Sequence, residues 1–220
     1  MCFVSGDLIL RFLLPVVAAF AGAFAAFALE NHRRKRQTLL SEKESANRTL
    51  FVLSRLVNDL GAFRQQYIDP LRDDPDRSLK IRAKMKAENP TLRIDVREMS
   101  FLVRDKQPEL LMKILIQEDR YMAVNTIVDS RSEMHLREVQ PRLEGAGLTF
   151  GQPMDRKAVE DALGPRILIS MENMTVEMIE LLDGTITSIR RTSEELWSHM
   201  KSRFPDDAFI TIGAEIKSEV

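Results

Sequence analysis

The sequence predicts an all-α fold, with an N-terminal transmembrane helix followed by an elongated antiparallel bundle of about three long helices. Three observations carry that expectation. The stretch from Phe12 to Leu29, FLLPVVAAFAGAFAAFAL, holds no charge and runs into the basic cluster ENHRRKR. The remainder is dominated by Leu, Ile, Met, Glu, Arg and Lys, with two Tyr and one Trp; these residues lose little rotamer freedom in a helix. Apolar residues also recur at alternating spacings of three and four over several long stretches, which places them on helical stripes.

Residues 1–29 form the short N-terminal tail and the anchor. Apolar character starts at Leu8, is broken once by Arg11, and continues to Leu29. At 1.5 Å per residue this approaches the ~30 Å hydrocarbon core of a bilayer. Pro15 and Gly22 are tolerated in membrane helices, and Arg11 near the end can snorkel to headgroups. A cleaved signal peptide is the rival reading, with Ala23-Phe24-Ala25 or Ala26-Phe27-Ala28 at the cleavage point. Asp7 beside Arg11, and Arg33, Arg34, Lys35 and Arg36 just downstream, weigh against it, because basic clusters resist translocation. The same cluster sets the orientation, with the N-terminus outside and the long C-terminal part cytoplasmic, and would contact anionic headgroups of the bacterial inner membrane. Ala18, Gly22 and Ala26 recur every four residues, a small-residue face that lets two membrane helices approach closely.

Residues 30–70 read as a long juxtamembrane helix. Leu53, Leu56, Leu60, Phe63 and Tyr67 form its apolar stripe, while Leu39, Leu40, Ala46 and Leu50 lie scattered among charges upstream. Asp69-Pro70 ends the helix, since a residue before proline avoids the α region. Residues 71–107 form an irregular basic linker, read as a solvated loop or short exposed helix. Lys80, Arg82, Lys84 and Lys86 in it are candidates for phosphate or lipid contact. Leu92, Ile94 and Val96 alternate with charged residues, a brief strand-like pattern or an extended segment packed on helices.

Residues 108–204 hold two long bundle helices with a short one between. Pro108 suits a first helical turn, with Asp105 a candidate cap upstream. Leu111, Ile114, Leu115, Tyr121, Val124 and Val128 share a face, Pro141 threatens a kink, and Gly145 with Gly147 ends the pattern. Arg156 to Leu163 form the short helix before Gly164-Pro165. A heptad seam then runs through Leu168, Met171, Thr175, Met178, Leu182, Thr185, Ile189, Thr192 and Leu196. Its threonines weaken the seam, Ile179 and Ile186 widen it, and Gly184 suggests close helix contact or a local break. Residues 205–220 form a C-terminal tail in which Phe209, Ile210 and Ile212 could make a short extended segment.

The chain lacks the glycine patterns that cradle phosphates, and the single cysteine, Cys2, can form neither a zinc pair nor an internal disulfide. His32, His135 and His199 fall in different elements, and no Glu-x-x-His motif accompanies them; His135 and His199 read as bundle-edge residues. No catalytic, cofactor or metal site is expected. A net charge of −1 gives no reason to expect nucleic acid, and no small-molecule substrate is indicated.

The run SANRTLFVLSRLVNDLGAFRQQYIDPLRDDPDR, with the N-terminal anchor and the later REVQPRLE, resembles a group of bacterial single-pass inner-membrane proteins with a cytoplasmic helical domain. The resemblance implies topology and contributes no activity or site. Asn47, Asn58 and Asp69 to Arg72 stand out in this run as candidates for polar contacts between helices, with capping and solvation as the alternative.

The function expected is that of a membrane-tethered scaffold or interaction protein, not an enzyme, working through a protein partner, self-association and membrane lipid. The alternative is a transmembrane signalling or effector subunit of a multi-protein membrane system.

Overall fold

A computed structural model describes residues 5–84, 93–148 and 155–211, with side chains from Val16 onward. Lys86, Leu92 and Ile212 lie outside these residues. The chain divides into two compact units, Met1–Ser45 and Ala46–Val220.

The first unit is the N-terminal part of α1, a helix that spans Ser5–Phe63. Every position from Val16 to Ser41 is solvent-exposed. Glu30 and Arg34 pair at 2.8 Å one turn apart, and Thr38 donates to the Arg34 carbonyl at 3.0 Å. Among the described residues no helix is long and apolar enough to cross a membrane. The described apolar part, Val16 to Leu29, measures about 21 Å along a helix axis, short of a ~30 Å core. The side chains of Phe12 to Pro15, which the expected span includes, lie outside the described ones. The helix as described therefore does not support a spanning anchor.

The second unit is built from helices and holds no strand among its described residues. Three long helices build its core: α1 from Ala46, α4 (Pro108–Met134) and α6 (Arg156–Arg203). Short helices α2 (Arg77–Lys80), α3 (Phe101–Arg104) and α5 (Gln140–Gly145) lie between them. The expected stripes are the buried faces. Leu53, Leu56, Leu60 and Phe63 are buried, as are Ala46 and Leu50 upstream. Ile114, Val124 and Val128 are buried from α4, and every seam position from Met171 to Leu196 is buried from α6. Each such Leu or Ile stabilises the fold by about 1.5–3 kcal/mol relative to an exposed one.

The helix directions depart from the expected antiparallel order. α4 and α6 are antiparallel, since Lys113 faces Glu195, Gln117 faces Thr192 and Arg131 faces Thr175. α1 is also antiparallel to α6, because Asn47 meets Ile210 while Arg64 meets Asp183. α1 and α4 must then run the same way, and Tyr121 bonded to Asp59 fits that direction. Two parallel helices need a connection that returns along the bundle, and its described parts are residues 64–84 and 93–107. This is why the supposed solvated linker is packed: Ser78, Ile81, Ile94, Met99, Phe101 and Leu102 are all buried. Ile94 sits in a stretch without regular secondary structure, not in a strand, and its N–H donates to the Glu118 carboxylate at 2.5 Å.

Prolines mark where the helices change. π-helical segments at Arg64–Ile68 and His135–Val139 each stand just before an x-Pro pair, Asp69-Pro70 and Gln140-Pro141. Proline has no N–H for the α-helical bond and crowds the carbonyl four residues back, and the wider turn relieves both. In α6, Gly164 has φ 73° and ψ 161°, a region essentially restricted to glycine, and Pro165 starts the helix again. The break separates Arg156–Leu163 from the long seam, as its sequence predicts. Gly184 marks neither a break nor a close contact: α6 continues through it, and a Cβ there would meet nothing within 4 Å.

Other local expectations shift. Asp105 does not cap α4, whose cap is Gln107 without a side-chain bond. It instead accepts from His199 Nε2 at 3.2 Å and from Arg203, tying the entrance of α4 to the end of α6. The tail folds back as far as Phe209, which is buried, and the Ile210 N–H donates to Asn47 Oδ1 at 3.0 Å.

Candidate functional site: a buried arginine clamp beside an open cleft

α4 and the π segment that continues it place Val124, Val128, Arg131 and His135 on one buried stripe, so a cation occupies a core position. Arg131 is 1% exposed. Its Nε donates to Thr175 Oγ1 at 2.9 Å, and one terminal nitrogen donates to the carbonyls of Ser78 and Ile81 at 2.8 and 2.9 Å. Those carbonyls belong to the single turn of α2 and to its C-cap, Ile81, where backbone oxygens otherwise lack a helical partner. No carboxylate of the described residues pairs with Arg131, and burial lowers its pKa to about 10. The guanidinium thus replaces water with backbone dipoles and pins the strap, residues 72–84, onto α4 and α6.

Ion pairs hold the strap from outside. Arg72 bonds Asp183 at 2.8 Å, and that hydrogen bond is the main reason its pKa is raised. Arg77 reaches Glu172 at 3.2 Å. Lys80 bonds Asp74 at 2.8 Å, a bond that raises the lysine pKa and lowers that of the carboxylate.

Beside the clamp opens a cleft of about 1210 Å³ between the strap, the His135–Val139 segment and both sides of the α6 break. Its walls include Leu79, Leu136, Leu168 and Ile169, of which Leu136 and Ile169 are exposed by 46% and 60%. Arg156 on the rim bonds Glu160 at 3.0 Å; that bond chiefly raises its pKa, and Asp76 across the cleft adds to the effect. His135 is not a bundle-edge residue. It is 2% exposed, with Nε2 3.3 Å from the Leu79 carbonyl, and burial foremost, then the charge of Arg131, outweigh that hydrogen bond and lower its pKa.

The predicted site residues do not converge. Lys80 is paired with Asp74 and Asp76, the Lys84 ammonium lies 4.7 Å over the Phe63 ring, and Arg82 is an exposed residue of the cleft. Lys86 lies outside the described residues. Ala18, Gly22, Ala26, Arg33, Arg34, Lys35 and Arg36 are all exposed in the first unit, and a Cβ on Gly22 would meet nothing within 4 Å. Of the residues picked for polar contacts between helices, Arg72 reaches Asp183 of α6, whereas Asp69 pairs with its near neighbours Arg64 and Arg72 and Asn47 accepts from the Ile210 N–H in the tail.

Sequence reasoning missed Arg131 and Gln117. Both sit at three-four spacing among apolar residues of α4, a signal that could have found them. Gln117 is 2% exposed and donates to Thr192 Oγ1 at 3.1 Å, so two seam threonines of α6 serve as hydrogen-bond partners of α4. Among the described residues no three or more His, Cys, Asp or Glu side chains gather to hold a metal ion. Comparison with protein-family models, curated proteins and solved structures finds no match for this chain.

Proposed function

We propose that this is a membrane-tethered helical-bundle interaction protein, with its N-terminus outside the bacterial inner membrane and its bundle on the cytoplasmic face. It acts through protein partners or self-association and not as an enzyme. The observation that carries the reading is the exposure of the apolar part of α1: Phe20, Phe24 and Phe27 are 73%, 75% and 71% exposed, and Val17 and Leu29 are also exposed. A continuous apolar surface of this kind is costly in water and calls for lipid or another protein to cover it. Arg33 to Arg36 follow directly, where anionic headgroups would meet them. Within the bilayer, the Ala18, Gly22 and Ala26 face gives copies a place to pack.

Cys2 is the only thiol and makes the topology testable. An impermeant maleimide should label intact spheroplasts; labelling only after lysis overturns the orientation, and recovery of the chain in alkaline washes of membranes overturns the tether. The mass of the detergent-solubilised protein should exceed that of one chain. Replacing Ala18, Gly22 and Ala26 with Ile should reduce that mass while leaving membrane association intact. A monodisperse monomer with no co-purifying protein would rule out the interaction role.

A further inference from the structure

α4 carries a second apolar stripe, on the face turned away from the core. Met112, Ile116 and Met122 are 56%, 43% and 62% exposed, and Ala123 is exposed with them. Leu115 and Ile127, at the sides of the stripe, are half-buried. At 3.6 residues per turn, Met112, Ile116, Ala123 and Ile127 fall along one line of the helix. The turn in the middle of that line is charged instead: Asp119 and Arg120 lie about 100° apart around the axis, one to each side of it. Both are exposed, and neither has a hydrogen-bond or ion-pair partner among the described residues. A row of exposed apolar side chains calls for cover, and the two charges say what covers it. In a parallel two-fold pair of helices, the left flank of each faces the right flank of the other. Asp119 then meets Arg120 of the second copy, and Arg120 meets its Asp119, so an apolar seam is flanked by two equivalent ion pairs. An antiparallel pair centred on this turn brings like flanks together, with arginine beside arginine and aspartate beside aspartate.

We propose that two copies of this chain pack α4 against α4, parallel and in register, through Met112, Ile116 and Ala123, with reciprocal Asp119–Arg120 pairs at the flanks. The interface is isologous, so one stripe serves both copies. It rests on the self-association reading given above, and it adds a contact on the bundle to the one that Ala18, Gly22 and Ala26 would make in the membrane. The apolar seam supplies most of the attraction, and the exposed ion pairs fix direction and register.

Disulfide trapping tests this on the full-length chain in membranes, in a Cys2→Ser background. Ile116→Cys and Ala123→Cys, oxidised separately with copper phenanthroline, should each give a covalent dimer, because the parallel register sets each position within about 7 Å of its own copy. An antiparallel pair can do so at one of them only, since the two lie about 10 Å apart along the helix. Arg190→Cys, exposed on α6, gauges random collision. In the Ala123→Cys chain, either Asp119→Arg or Arg120→Asp should lower the cross-linked fraction by about threefold or more, and the two together should restore it. Cross-linking above the Arg190→Cys level at neither position, or at one alone, overturns the proposal. A doubly reversed chain that cross-links no better than the single reversals overturns it too. If the solubilised chain is still heavier than one copy in those cases, self-association stands and only this contact falls; a single-copy mass removes both.

Discussion

Arg131 Nε and Thr175 Oγ1 meet at 2.9 Å across the α4–α6 seam, and Thr175 in turn donates to the Met171 carbonyl at 2.7 Å. Thr185, ten residues on in the same buried stripe, has a hydroxyl oxygen with no hydrogen-bond partner among the described residues. The same substitution should therefore act in opposite directions. Thr175→Val leaves a buried guanidinium nitrogen without an acceptor and should cost about 1–3 kcal/mol. Thr185→Val removes an unsatisfied buried hydroxyl at nearly constant volume and should stabilise by roughly 1 kcal/mol. Urea unfolding of the detergent-solubilised chain, followed by circular dichroism, measures both.

Removing Arg131 is the more drastic change. Arg131→Ala strips the Ser78 and Ile81 carbonyls of their donor and leaves a cavity, and should cost about 3 kcal/mol or more. Arg131→Met fills most of the space and should cost less. If the clamp pins the strap, limited proteolysis of Arg131→Ala should cut first within residues 72–84, with α6 cleaved later.

The buried His135 predicts a loss of stability in acid. Its folded pKa lies below the ordinary 6.5, so just below pH 6.5 the unfolded chain binds a proton that the folded chain does not. Stability then rises with pH up to about 6.5 and falls as the solution is acidified through that point. His135→Gln lacks the proton-binding site, and its melting temperature should fall less than the wild type's between pH 7.5 and 5.5.

Two glycines of α6 should respond oppositely to alanine. At Gly164 the backbone region excludes a Cβ, and Gly164→Ala should cost about 1–3 kcal/mol. At Gly184 the helix is regular and the space open, so Gly184→Ala should stabilise by up to about 1 kcal/mol. Thermal melts of the two variants, side by side, check the pair.

The α6 seam and the break at Gly164 were legible in the sequence because both are local. Periodicity reports which face is buried, and a Gly-Pro pair interrupts a helix wherever it stands. The direction of α1 relative to α4 was not legible, since it depends on pairs such as Asn47 with Ile210, 163 positions apart. Without it the crossover looked like a solvated linker, although its Ser78 and Ile81 are buried. The sequence reading passes over Arg131 and puts His135 at the bundle edge because charged or titratable residues are ordinarily assigned to the surface. Their places in the Val124–Val128 stripe carried the contrary signal. The cleft was not foreseeable either, because it is bounded by three separate stretches of chain that meet only in the fold.

The parallel run of α1 and α4 also shapes how the chain can acquire its structure. Their common antiparallel neighbour, α6, is made after both. Leu53, Leu56 and Leu60 leave the ribosome long before Met178, Leu182 and Ile186, and the core they share cannot close until α6 has followed. Closure then joins segments far apart in sequence, which slows folding and leaves apolar stripes uncovered in the interim. A chain stopped before Arg156 would present the first two long helices with no third to pack on, and such a nascent fragment should be a strong client for chaperones.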